Sequence, residues 1–170
     1  MRIVSTIYLL ILSITAFSQV RYAGKVETGY LSFLSRTITV EPGPNWKGYY
    51  LNNSQNGIAI NFSNGISLAN RRLFSGLGIG YLNFEGIQGF SAYGEVEYIP
   101  LKKAFSPLFN LKIGYDHIWN QYPGGTGTLN AEINAGINYN LYKKVGVYLK
   151  TGIRLTQQSI FIPAIFGIRF

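Results

Sequence analysis

From Leu129 to the final Phe170 the chain alternates apolar and polar residues with few exceptions. In LNAEINAGINYNL, one parity holds Leu129, Ala131, Ile133, Ala135, Ile137, Tyr139 and Leu141. The other holds Asn130, Glu132, Asn134, Gly136, Asn138 and Asn140. Successive side chains of a strand point to opposite faces, so this strand has one greasy and one polar face. VGVYLKTGIRL repeats the pattern, with Val145, Val147, Leu149, Ile153 and Leu155 set against Tyr148, Lys150 and Arg154. A soluble sandwich buries such a greasy face. A membrane barrel turns it to lipid and points the polar face into its lumen.

The N-terminus favours the barrel. Met1-Arg2 is a minimal positive region, and Ile3 to Ile14 is an apolar run too short to span a bilayer. Ala16-Phe17-Ser18 places small residues where a signal peptidase reads them. Residues 1–18 are therefore expected to be a cleavable signal peptide and residues 19–170 a single barrel domain. There is no cysteine, which removes lipoprotein attachment, disulfides and thiolate metal sites. No later run of eighteen apolar residues suggests a transmembrane helix.

Composition points the same way. Aromatics make up 15% and charged residues only 13%, against about 25% charged in ordinary globular domains. Few charges and many aromatics suit a surface that faces lipid. The fifteen basic residues outnumber the seven acidic ones, a balance that elsewhere suggests nucleic acid. An exported chain does not meet nucleic acid in a specific way, and none is expected as a partner.

Alternation and turn residues place strands at about 22–34, 56–68, 73–84, 90–99, 108–119, 129–141, 145–155 and 160–170. Each is long enough to cross a bilayer when tilted, which takes about 9–11 residues. Gly76, Gly78 and Gly80 fall on the inner parity of the third strand, where they make room for larger side chains opposite. The connections are expected to alternate. Three are short and basic, around Asn70-Arg71-Arg72, Leu101-Lys102-Lys103 and Tyr142-Lys143-Lys144. Four are expected to be longer: Ser35 to Gln55, Glu85 to Gly89, Asn120 to Thr128, and Thr156 to Ser159. Short periplasmic turns and longer extracellular loops are the barrel rule. An even strand number puts both termini with the short turns.

With its leader, its eight alternating strands, the phrase LKKAFSPLFNLKIGYDH and the terminal strand IFIPAIFGIRF, the chain resembles the small eight-stranded outer-membrane barrels of Gram-negative bacteria. These are the OmpA/OmpX-type families. The resemblance covers the whole mature chain. It implies an all-β fold, an eight-stranded antiparallel up-and-down transmembrane β-barrel located in the outer membrane. It further implies that the barrel-assembly machinery reads Phe166, Ile168 and Phe170, which share the outward parity. The implied role is structural or surface interaction by a monomer among outer-membrane lipids, with loops whose ligand the resemblance does not name.

Parity also sorts the charges. Lys25, Lys112, Lys150, Arg154 and Arg169 point inward, as do Glu27, Glu95, Glu97, Asp116 and Glu132. The interior of an eight-stranded barrel is just wide enough to be filled by side chains, and isolated charges there are costly. The ten are expected to form an ion-paired plug, in which Glu95, Glu97 and Glu132 have Lys112, Lys150 and Arg154 among their candidate partners; which acid meets which base depends on strand shear, which the sequence does not fix. A gated polar pathway is the alternative. Arg71, Arg72, Lys102, Lys103, Lys143 and Lys144 form a basic set at the periplasmic rim. They suit phospholipid phosphates, or serve simply as solvated turn residues. Outward aromatics supply two girdles: Phe90, Tyr115 and Trp119 near one rim, Tyr98, Phe109, Tyr139 and Phe170 near the other.

Catalytic chemistry is not expected. The only histidine, His117, faces outward, with no serine after it in its strand and no GxSxG anywhere. One histidine and no cysteine do not make an ordinary zinc site, and no cofactor is expected. Glu95 and Glu97 share a face and resemble a carboxylate pair, but in a small barrel they read as partners of Lys or Arg. GLGIG at 76–80 lies inside a strand with no helix after it, so it is not a phosphate loop. Three rival functions remain open: a small-solute or lipid conduit, a lipid-modifying membrane enzyme using Glu95, Glu97 or His117, and a soluble lipocalin-like binder.

Overall fold

The alternating segments form eight antiparallel strands in a computed structural model, which describes residues 20–37, 43–47, 54–69, 71–101, 103–119, 122–142 and 145–170. The expected signal peptide lies outside these residues, as do Asn70, Lys102, Asn120, Lys143 and Lys144. The strands are β1 (Arg21–Arg36), β2 (Gly57–Leu68), β3 (Leu73–Phe84), β4 (Ile87–Tyr98), β5 (Phe105–Ile118), β6 (Thr126–Asn140), β7 (Gly146–Thr156) and β8 (Ser159–Arg169). Each pairs with the next, and β8 pairs back onto β1, so the sheet closes into a barrel. Closure removes the sheet edge and lets the backbone satisfy its own hydrogen bonds without water.

Three strands begin earlier than the alternation suggests: β4 at Ile87, β5 at Phe105 and β6 at Thr126. In β5 the extension includes Pro107, which pairs with Ile137 of β6. The β4–β5 ladder has already ended at Tyr98 opposite Phe109. Pro107 therefore sits where β5 has outrun one neighbour, the edge-like position at which a residue without an N–H is tolerated.

The expected contrast between short and long connections is corrected. Two of the four supposedly longer ones are two-residue turns. Glu85 and Gly86 have φ of 51° and 101°, and Gln157 and Gln158 have φ of 47° and 59°. Positive φ at both central residues matches the twist of the flanking strands in a tight hairpin. Ile87, Gln88 and Gly89, expected in the connection, belong to the longer β4. Connection length thus does not distinguish the two ends. The position of the termini, which leave from the end bearing Arg71, Arg72 and Lys103, does.

Inside, the barrel is filled in layers. At the end away from the termini, Leu31, Ala59, Leu82, Phe84, Ile87, Ile118 and Phe161 form a buried apolar cap, with Phe33 packed against it. The rings of Phe33 and Phe84 lie 5.9 and 5.3 Å from that of Phe161. Towards the termini a smaller cluster joins Ile99, Leu108 and Tyr148. The charged residues lie between. The inner face is therefore not polar throughout, as the plug expectation had it. Both ends carry apolar residues on the inward parity.

Two glycines admit large rings to this interior. A Cβ on Gly78 would come within 2.4 Å of the Tyr93 ring, and one on Gly167 within 2.3 Å of the Tyr148 ring. Each tyrosine thus lies against a neighbouring strand where only glycine leaves space, and each carries its hydroxyl into the charged layer.

Candidate functional site

All five bases and all five acids assigned to the inner parity are buried in the lumen. They form one continuous network of nine ion pairs. Starting near the termini, Arg169 of β8 meets Glu97 of β4 at 3.1 Å. Glu97 meets Lys25 of β1 at 2.6 Å, and Lys25 also reaches Glu95 at 2.9 Å and Glu27 at 3.4 Å. Glu27 is the hub. Its two oxygens accept from Lys112 at 2.5 Å and Lys150 at 2.6 Å. Lys112 also lies 3.6 Å from Glu132, which pairs with Arg154 at 3.1 Å. Arg154 closes the series on Asp116 at 2.7 Å.

The closed barrel decides which acid meets which base. Glu132 does meet Arg154 and Lys112. Glu95 and Glu97 instead bond Lys25, and Glu97 also bonds Arg169, while Lys150 bonds Glu27. Side chains as long as Lys and Glu cross a narrow lumen as easily as they reach the adjacent strand. Ladder register therefore does not select the partner.

Neutral residues complete the layer; Asn130, Asn134 and Tyr148 belong to the polar parity of β6 and β7, and Asn110 and Thr156 join them. The Tyr148 hydroxyl donates to Glu27 at 2.7 Å, and Asn110 donates to Glu95 at 3.1 Å. Asn134 donates to Glu132 at 2.7 Å, and Asn130 and Thr156 donate to Asp116 at 2.5 and 2.6 Å. Lys25 lies over the Phe74 ring at 5.0 Å and Lys112 over the Tyr93 ring at 4.8 Å, positions that favour a cation. The signal for these residues was their inward parity, which they share with the charges.

Glu27, Glu95 and Glu97 bring carboxylate oxygens within 4.8 Å of one another, a spacing that suits a divalent ion. The Lys25 ammonium lies 3.4, 2.9 and 2.6 Å from them and neutralises them as an ion would. With their oxygens held by Lys25, Glu95 and Glu97 are ion-pair partners rather than an acid–base couple. His117 lies at the other end on the outward parity. Its Nε2 is 3.1 Å from the Gly124 carbonyl, and its ring meets Trp119 edge-on at 5.3 Å.

Arg71, Arg72 and Lys103 lie in the connections at the terminus-bearing end. Desolvation, then the charges of Arg21 and Arg169, pull the Arg71 guanidinium below the ordinary arginine value. Phe166, Ile168 and Phe170 are exposed on the outer surface. Phe170 exchanges two backbone hydrogen bonds with Gly24 at 2.9 and 3.0 Å, and a Cβ on Gly24 would lie 2.6 Å from its ring. The last residue thus lies over β1 at the seam. Both expected girdles are exposed on the outer wall, Phe90, Tyr115 and Trp119 towards one rim, Tyr98, Phe109, Tyr139 and Phe170 towards the other.

No family model matches the sequence, and no curated protein matches it. Among solved structures the chain is similar to Neisserial surface protein A, with a TM-score of 0.67 at 9% identity, over 88% of this chain and 97% of that one. It is also similar to the N-terminal β-barrel domain of Pseudomonas aeruginosa OprF, with a TM-score of 0.55 at 11% identity, over 89% of this chain and 100% of that one. Likeness at such identities speaks for fold. The fold is the closed eight-stranded antiparallel barrel of outer-membrane proteins.

Proposed function

We propose that the protein is an integral outer-membrane barrel with a structural and surface-interaction role, acting through its outer wall, rims and loops. The observation that carries this reading is the filled lumen. A network of nine ion pairs crosses it, and an apolar cap stands between that network and the loop-bearing end. A solute would have to part several buried ion pairs and then cross packed Phe84 and Phe161. Breaking one buried pair by removing a partner typically costs about 3–5 kcal/mol. Among the described residues the ion-pair network and the apolar cap occupy the space that a lipocalin-like ligand would need, and the exposed apolar wall suits lipid. A non-catalytic role is supported by the settings of the candidates: Glu95 and Glu97 are bound by Lys25, and His117 is held by a loop carbonyl.

In this reading residues 1–18 direct export. The assembly machinery recognises Phe166, Ile168 and Phe170, and the basic rim lies in the periplasm against inner-leaflet headgroups. The protein should stay in the outer membrane after carbonate and urea washes and show no steady conductance in planar bilayers. Release by carbonate would defeat the membrane reading. Stable conductance would promote the conduit.

A further inference from the structure

The outer wall carries a hollow that neither the lumen nor the loops use. Ala135, Thr151 and Ala164 stand side by side in register across β6, β7 and β8. Their small side chains leave an apolar depression of 860 Å³. In the next outward row, towards the termini, Ile137, Leu149 and Phe166 form its lower flank, and Tyr30 bounds it on β1. Beyond that row, Phe105 and Tyr139, whose ring centroids are 4.6 Å apart, line it on the side of the terminus-bearing rim. Lys103 lies two residues before Phe105 at that rim, where its carbonyl accepts from the Asn140 side chain at 3.0 Å. From Tyr139 to Ala135 the strand rises about 13 Å. The hollow therefore runs from the rim well into the depth of the wall.

The charge ledger of the sequence says what fits there. Five acids face five bases in the lumen. At the opposite end the described charged residues are Arg36, Lys47 and Glu85. The net charge of +8 becomes +7 without Arg2. Among the described residues the terminus-bearing rim carries Arg21, Arg71, Arg72 and Lys103 and no acid.

We propose that the hollow seats an acyl chain of one anionic phospholipid, with its phosphate held at Lys103; this rests on the outer-membrane reading above. An apolar trough that ends at an acid-free basic rim complements a molecule with a greasy tail and a negative head. A second copy of the chain fits it less well. Copies in one membrane share an orientation, so docking them would press basic rim against basic rim.

Native mass spectrometry of the detergent-purified barrel, incubated with phosphatidylglycerol or with phosphatidylcholine of the same chains, tests this. One phosphatidylglycerol per barrel should survive, with at least tenfold less phosphatidylcholine. Filling the hollow with Ala135→Leu, Thr151→Leu and Ala164→Leu together should lower that retention about tenfold. Ala92→Leu, on the β4 wall, should not change it. Lys103→Gln should bring phosphatidylglycerol down to the level of phosphatidylcholine. Heat-modifiable migration checks folding, and Thr151→Leu alone serves if the triple variant does not fold. No retained phosphatidylglycerol in the parent, or equal retention after filling, overturns the proposal. So does a parent dimer that disappears on filling, which would assign the hollow to a second copy. A barrel that resists carbonate but holds no phosphatidylglycerol refutes the lipid seat alone and leaves the outer-membrane reading standing.

Discussion

Glu95 stands directly opposite Lys112 in the β4–β5 ladder, yet its carboxylate bonds Lys25 of β1 at 2.9 Å, across the lumen. Lys112 is committed elsewhere, to Glu27 at 2.5 Å. The first prediction follows from this exchange. Lys25→Met leaves Glu95 and Glu97 short of a buried cation and should cost about 3–5 kcal/mol of folding stability in liposomes. Adding Glu95→Gln should recover part of the loss. A double-mutant cycle should show larger coupling for Glu95 with Lys25 than for Glu95 with Lys112. Equal coupling in urea titrations would mean that register, not the cross-lumen contact, sets the partner.

The second prediction concerns depth. Ile133 and Ile137 are both exposed on the outer wall, but Ile137 is only three residues from the end of β6 at Asn140. Arginine at Ile133 should destabilise the barrel by about 2–4 kcal/mol, and at Ile137 by about 1 kcal/mol or less. Refolding into liposomes measures both. A parent-like Ile133→Arg variant would count against lipid exposure.

The third concerns the seam. Phe170 is hydrogen-bonded to Gly24 and its ring covers that glycine. Deleting Phe170 should leave export intact and lower the heat-modifiable, folded protein recovered from outer membranes. Gly24→Val, which thrusts a side chain into the ring's place, should do the same more weakly. Unchanged assembly of the deletion at native expression would remove Phe170 as an assembly signal.

The fourth sets the topology. The connection between β1 and β2 lies at the end away from the termini. An epitope inserted at Asn53 should be reached by antibody on intact cells, since loops of this kind tolerate insertion. Labelling only after the outer membrane is opened would invert the orientation.

The fifth uses backbone strain. Gln158 has φ of 59° in the β7–β8 turn, a region that costs a non-glycine residue about 1–2 kcal/mol. Gln158→Gly should stabilise the barrel by about 1 kcal/mol, read as a higher urea midpoint. Gln157 is kept because its side chain donates to the Thr126 carbonyl at 3.1 Å. A lower midpoint would show that the glutamine side chain outweighs the strain.

The number of strands, their faces and the inward set from Lys25 to Arg169 were legible in the sequence because alternation is local. A strand reverses its side chains at every residue wherever it lies, so parity needs no knowledge of neighbours. The same parity held the apolar cap, since Leu82, Phe84, Ile118 and Phe161 occupy inward positions. They passed unremarked because apolar residues on both faces hide the alternation. Turn length was less legible: Glu85-Gly86 and Gln157-Gln158 are tight only because the strands around them are long. Which acid meets which base, and where Ala135, Thr151 and Ala164 line up, were decided by the tertiary structure alone. Both depend on how far each strand is staggered when β8 closes on β1. That stagger is a property of the whole ring of ladders and is written in no single strand.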